Sequence, residues 1–332
     1  MGERQALVLG ATGGIGGATA RRLLDGGWRV RALTRGAGEG IDPRCEIVRG
    51  DARDADAVVA AAAGAEAILH AVNPPGYRDW AGQVLPMLDA TLAAARATGA
   101  RVVLPGTVYN YGPDAFPLID EDAPQRPVTR KGAIRVELER RLAALAASGA
   151  APVLIVRAGD FFGPGAANNW FAQGLVTPGA RPRVVRQPGR RGVGHQWAYL
   201  PDVAETIARL LDRPALPAFA RFHLDGQWDE DGRRMVEAIV RALGDPTVPI
   251  RRLAWWQLRL AALVATTPRE LMEMRYLWRR PVRLGNARLV AELGAEPHTP
   301  LDAAVRATLA SLGCLVPAAP ARAPGEAAPA LA

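Results

Sequence analysis

The sequence predicts an α/β fold: a doubly wound parallel sheet covered by helices on both faces, followed by a smaller, mainly helical C-terminal region. Short apolar runs alternate with amphipathic stretches between Ala6 and Val156, a glycine-rich turn joins the first run to the first helix, and the alternation breaks after Gly159. Strands that alternate with helices in this way pair in parallel.

Taken in order, Ala6–Leu9 reads as a buried strand and Ile15–Leu24 as a helix. Trp28–Thr34 alternates as a second strand, and Glu46–Val48 is a third. Helix Ala55–Ala63, strand Ala67–Ala71, helix Ala81–Thr98, strand Arg101–Leu104, helix Lys131–Ala147 and strand Val153–Val156 complete the regular part. Beyond it, helices are predicted at Pro201–Leu211, Gly232–Leu243, Trp255–Val264, Pro268–Trp278, Ala287–Leu293 and Leu301–Leu312, with one strand near Arg221–Leu224.

Composition narrows the function classes. The chain has 332 residues, 49% of them hydrophobic, which suffices for a large core. No apolar run reaches the roughly 18–20 residues of a membrane span. No signal-peptide pattern precedes the first strand. Cys45 and Cys314 lie far apart, as do His70, His195, His223 and His298. Neither disulfide nor zinc spacing is present, so a cytoplasmic setting and no metal are expected. The net charge is +8, but the cations are spread and no nucleic-acid module is recognised, so neither nucleic acid nor membrane is expected as a partner.

Two features of the cations stand out. Arg181, Arg183, Arg186, Arg190 and Arg191 form a dense segment, read either as a solvated loop or as a contact for a phosphorylated substrate. Of the 41 Lys and Arg residues, only Lys131 is lysine. A guanidinium keeps its proton at ordinary pH, whereas a lysine with a lowered pKa exchanges it. Lys131 is therefore either a group retained for proton chemistry or a chance survivor.

Gly10-Ala-Thr12-Gly13-Gly14-Ile15-Gly16 follows the first strand and opens the first helix. Glycines so placed permit a tight turn, close approach of backbone N–H groups to a pyrophosphate, and close helix packing. This is the dinucleotide fingerprint of a Rossmann fold. The expected organisation is a dinucleotide-binding domain over 1–159, a substrate region over 160–316 partly interleaved with it, and a disordered Ala/Pro-rich tail over 317–332. At the end of the second strand, where NAD sites place an acid, stand Thr34 and Arg35. A guanidinium there suits a 2′-phosphate, so NADP is the expected cofactor, with NAD the alternative.

The motif and its setting resemble the short-chain dehydrogenase/reductase superfamily, in its extended and atypical branches that include epimerase/dehydratase-like members. The resemblance implies that Asp51 and Ala52 border the adenine and that His70, Ala71 and Val72 pass under the cofactor. Leu104-Pro-Gly-Thr107-Val-Tyr109-Asn-Tyr111 resembles the end of the fifth family strand, making Thr107 the substrate-orienting hydroxyl and Tyr109 or Tyr111 candidate phenols.

The family's usual Tyr-x-x-x-Lys is missing. Aligning on Glu137 puts Thr129 and Ala133 at the pair; aligning on Glu139 puts Lys131 and Arg135 there. The second register, similar to the isoflavone-reductase-like branch, is preferred because it explains the single lysine. It implies that Lys131 moves the proton, its pKa lowered by Arg135, or that Arg135 holds the nicotinamide ribose. A solvated helix start is the plainer alternative. Phe161, Phe162, Asn168, Asn169, Trp170, His195 and Trp197 are implied on the substrate side, and a homodimer through the Ala81–Thr98 and Lys131–Ala147 helices would be usual for the family. The expected function is NADP(H)-dependent oxidoreduction of a small carbonyl, alcohol or activated double bond. An NAD-dependent nucleotide-sugar epimerase/dehydratase and a non-catalytic NADP sensor are the alternatives.

Overall fold

A computed structural model describes residues 4–74 and 79–315; the tail expected to be disordered over 317–332 lies outside them. The chain runs through β1 (Gln5–Leu9), α1 (Gly14–Asp25), β2 (Arg29–Thr34), β3 (Glu46–Arg49), α2 (Ala55–Ala61), β4 (Ala67–His70), α3 (Trp80–Thr98), β5 (Arg101–Gly106), β6 (Leu118–Ile119), α4 (Arg130–Ala147) and β7 (Val153–Arg157). It continues as β8 (Asp160–Phe162), β9 (Val185–Gln187), β10 (His195–Tyr199), α5 (Leu200–Leu211), β11 (Phe219–His223), β12 (Gln227–Asp229) and α6 (Arg234–Leu243). The last elements are β13 (Ile250–Arg252), α7 (Trp255–Ala261), α8 (Thr266–Glu273), β14 (Arg283–Leu284), α9 (Ala287–Leu293) and α10 (Leu301–Ser311).

Seven strands pair in parallel in the order β11–β7–β5–β4–β1–β2–β3. This is the doubly wound α/β class read from the sequence. Its strand side chains alternate between two apolar layers, as a sheet covered on both faces requires. Ala6 and Val8 of β1 join Leu23 of α1 and Ile207 of α5 in one layer. Leu7 and Leu9 join Leu88 of α3 and Leu142 of α4 in the other.

The chain leaves β1 toward β2 and β3 on one side and reaches β4 and β5 on the other, so the order reverses between β1 and β4. Leu9 is in register with His70 there. Open sheets bind ligands beyond the carboxyl ends of strands at such a switch point. A third core gathers Trp170, Phe171, Trp197, Met235, Ile239 and Trp278 with Val108 and Tyr111, which follow β5. Through those last two residues the C-terminal region is seated beside the carboxyl end of β5. The seventh strand, β11, comes from beyond residue 159, so the earlier and later parts share one sheet.

Candidate active site

The glycine turn is built by exclusion. Gly10 has φ +92°, and a Cβ there would lie 2.6 Å from the Ala71 carbonyl oxygen. A Cβ on Gly16 would lie 2.2 Å from the Gly10 oxygen, so Gly16 serves helix packing and is not on the cleft lining. No side chain caps the N-terminus of α1 at Gly13, leaving its first N–H groups for an anion.

Above this turn lies a cleft of about 650 Å³. Gly10, Thr12, Gly13, Gly14 and Ile15 form its floor; Thr34, Arg35, Asp51 and Ala52 line one end, and Ala71, Val72 and Phe161 lead toward the other. The uncapped helix end, opening on the cleft floor formed by the glycine turn, fits a dinucleotide. Arg35 is exposed on the rim. Arg53 grips the Asp51 carboxylate at 2.7 Å and, with backbone and nearby charges, holds its pKa down to about 2. Asp51 is therefore ionised, with its charge balanced.

A smaller cavity of about 160 Å³ continues the cleft, sharing Ile15, Ala71, Asn73, Phe161, Asn168 and Asn169 with it. Thr107, Tyr109, Trp80, Arg135 and Trp170 are also among its walls. Arg135 is 7% exposed; its Nη2 donates to Asn73 Oδ1 at 2.9 Å, and its guanidinium lies 5.1 Å from the Trp80 ring centre. Thr107 Oγ1 caps the short turn that carries Tyr109.

His70 also lines this cavity, and its Nδ1 meets Thr91 Oγ1 at 2.8 Å. The Thr91 hydroxyl donates to the Met87 carbonyl, so Nδ1 is the donor to Thr91 and Nε2 is left an acceptor. Burial first, and then the Arg135 charge, push its pKa down to about 3. His70 is thus a neutral part of the wall.

Helix α4 is oriented by Glu139. Arg157 Nη2 donates to both Glu139 oxygens, at 2.8 and 2.7 Å, and Asn110 and Gln125 donate to the same carboxylate. Glu137 instead lies toward solvent, bound to Arg140 and Arg141. Of the two registers, the one through Glu139 faces inward: Lys131, Arg135 and Glu139 are all buried.

The surroundings of Lys131 differ from the sequence expectation. Its Nζ sits 2.7 Å from Glu270 Oε2 and donates to the Glu270 carbonyl at 3.0 Å, and Glu273 lies 3.8 Å away. Lys131 is 3% exposed and is not among the cavity walls. The expectation placed a cation beside it; the fold adds two carboxylates from α8, which local sequence around residue 131 does not announce. Nor are Lys131 and Arg135 solvated, although Arg130 beside them is exposed.

Other expected site residues divide. Phe161, Asn168, Asn169 and Trp170 are on the cavity. Phe162 and Tyr111 are fully buried, Phe162 stacked on Phe171 and Tyr111 lying 5.1 Å from the Arg157 guanidinium, so neither reaches the cavity. His195 and Trp197 line a separate void of about 10 Å³, too small for a substrate. Their correction has a simple cause: an aromatic near a strand end is as easily packed against Trp278 as turned to a ligand. His195 Nε2 does pair with Asp160 Oδ2 at 2.8 Å, and Asp160 is a cavity wall. Sequence reasoning missed Asn73, Trp80 and Asp160. Asn73 directly follows the His70–Val72 segment, a signal that could have found it.

A family model described as the NAD dependent epimerase/dehydratase family matches residues 6–219. A comparison with curated proteins returned no match. Among solved structures, the chain is similar to a UDP-glucuronic acid 4-epimerase from Bacillus cereus in complex with UDP-glucuronic acid and NAD, at TM-score 0.72 and 13% identity over 93% of this chain and 98% of that one. It is similar to a UDP-glucose 4-epimerase from Thermus thermophilus in complex with NAD, at TM-score 0.68 and 20% identity with the same coverage. A UDP-glucose 4-epimerase from Bifidobacterium longum, with NAD and UDP, gives TM-score 0.69 and 14% identity over 93% of this chain and 97% of that one.

Proposed function

The chain belongs to the NAD-dependent epimerase/dehydratase family, whose members are NAD(P)-dependent enzymes of the extended short-chain dehydrogenase/reductase type, and on that premise we propose that it catalyses NADP(H)-linked oxidoreduction of a small carbonyl or alcohol. The observation that carries this reading is at the end of β2. Thr34 and Arg35 line the cleft where a carboxylate would repel a 2′-phosphate, and the nearby Asp51 is neutralised by Arg53.

Gly10, Thr12, Gly13 and Gly14 would hold the pyrophosphate, Thr34 and Arg35 the 2′-phosphate, and Asp51 and Ala52 the adenine end. Ile15, His70, Ala71, Val72 and Arg135 would border the nicotinamide end. The bound dinucleotide supplies or accepts a hydride.

In the smaller cavity, the Thr107 hydroxyl orients the substrate oxygen and the Tyr109 phenol exchanges the proton. Arg135, steadied by Asn73, provides positive charge for an oxygen that becomes anionic. Asn168, Asn169, Phe161 and Trp170 bound the substrate, and the aromatic walls favour a compact, partly apolar one. Lys131 enters this chemistry only when Glu270 releases it.

The second reading is a nucleotide-sugar epimerase or dehydratase with retained NAD. The family match and the UDP and NAD named for the similar structures favour it. One experiment separates the two. The dinucleotide released on denaturing the purified protein is identified, and NADPH oxidation is then screened with small aldehydes and ketones. Turnover with NADPH supports the reductase; stoichiometric, tightly held NAD with no net oxidation supports the epimerase class and removes the reductase.

A further inference from the structure

The basic segment between Arg181 and Arg191 takes no part in the cleft, and the fold brings it beside α7. Strand β13 pairs with β9 so that Arg251 stands opposite Arg186. Arg275 lies 5.3 Å from the Trp255 ring centre, and burial, then the charges of Arg279, Arg190 and Arg259, press its guanidinium below the usual value. Arg186, Arg190, Arg251, Arg252, Arg259 and Arg279 are all exposed. Neither 181–191 nor 250–269 contains an acidic residue.

An apolar ridge rises from this basic field. Trp256, Leu260, Leu263 and Val264 are 65%, 59%, 75% and 89% exposed. Their spacing is i, i+4, i+7, i+8, the stripe of one helix face, carried on α7 and the turn after it. The opposite side is fixed: Trp255 is buried and its indole N–H donates to the Pro188 carbonyl. Burying large side chains inward while leaving four others outward on one stripe is unfavourable in water unless the stripe meets a partner. Arginines around a Trp/Leu ridge match the interface of a bilayer with negative headgroups, where charge attracts and apolar side chains enter the acyl boundary.

We infer that this face is a peripheral docking surface for an anionic lipid bilayer. The contact is peripheral because no helix among the described residues is long and apolar enough to span a membrane. The longest apolar run that carries it, Leu260–Ala265, is far shorter than a membrane span.

The test is sedimentation of the full-length protein with vesicles of phosphatidylcholine alone and of phosphatidylcholine mixed with phosphatidylglycerol. Binding is expected only to the mixed vesicles, weakening as salt rises. The variant Trp256→Ser with Leu260→Ser should bind about tenfold less or weaker still, while dinucleotide affinity stays unchanged because neither residue lines the cleft. Absence of binding to the mixed vesicles overturns the proposal. So does binding that the apolar variant leaves intact, which would mark a general polyanion surface, or a wild-type dimer that this variant dissociates in the absence of vesicle binding.

Discussion

Arg157 and Glu139 form a fully buried two-toothed ion pair, with both carboxylate oxygens within 2.8 Å of one guanidinium nitrogen. The same guanidinium donates to the Thr107 carbonyl, and its Nε donates to His223 Nε2. One ion pair thus sets both the rotation of α4, which aims Arg135, and the strand end that carries Thr107. Removing one partner leaves an uncompensated buried charge, which costs about 3–5 kcal/mol. Glu139→Ala is expected to lose about that much in urea unfolding; a change within experimental error would show that the pair does not organise the site.

Two buried histidines predict an acid-side stability loss. Burial, aided by Arg135 at His70 and by Arg157 at His223, pushes their pKa values down to about 3 and about 2 from 6.5. Below 6.5 the unfolded chain protonates both while the folded chain does not, so stability is full above that pH and falls as pH drops toward 3. Each histidine contributes about 1.4 kcal/mol per pH unit across the window. Urea midpoints at pH 7 and pH 5 check this, and equal midpoints would contradict it.

The Lys131–Glu270 pair links the start of α4 to α8. Lys131→Met strands a mostly buried carboxylate, and a loss of about 3 kcal/mol is expected, partly restored by Glu270→Gln in the same chain. Turnover normalised to folded protein should fall by less than about tenfold. A fall of two or more orders of magnitude with the fold intact would assign the proton step to Lys131.

Tyr109 and Tyr111, two residues apart, should behave oppositely. Tyr109→Phe is expected to lower turnover by about a hundredfold or more with little change in stability. Tyr111→Phe, deep in the C-terminal core, should leave turnover near wild type and change stability by about 1 kcal/mol. Equal turnover in the two variants would remove Tyr109 from the proposed role.

Much of the fold was legible because its signals are local. The apolar runs gave the six strands of the seven-stranded sheet up to Val153–Arg157 within a few residues, and the glycine turn located the cleft floor from Gly10 to Ile15. The strands β6, β8, β9, β10, β12, β13 and β14 were not legible: most have two or three residues, too few for periodicity, and they lie outside the regular strand–helix alternation. At the site, Thr107, Tyr109 and Arg135, which the family resemblance implies, line the smaller cavity. What escaped was set by distant chain: Glu270 reaching Lys131, Trp278 enclosing His195, and Trp80 walling the cavity.

The proposed preference for NADP(H) rests on Arg35 and the acid-free end of β2. Titration of stripped wild-type and Arg35→Glu protein with NADPH and NADH tests it most directly. Wild type is expected to bind NADPH at least about tenfold more tightly than NADH, and Arg35→Glu to lose about that advantage, or about 1.4 kcal/mol. Equal affinities in the wild type, or a preference for NADH, would contradict it.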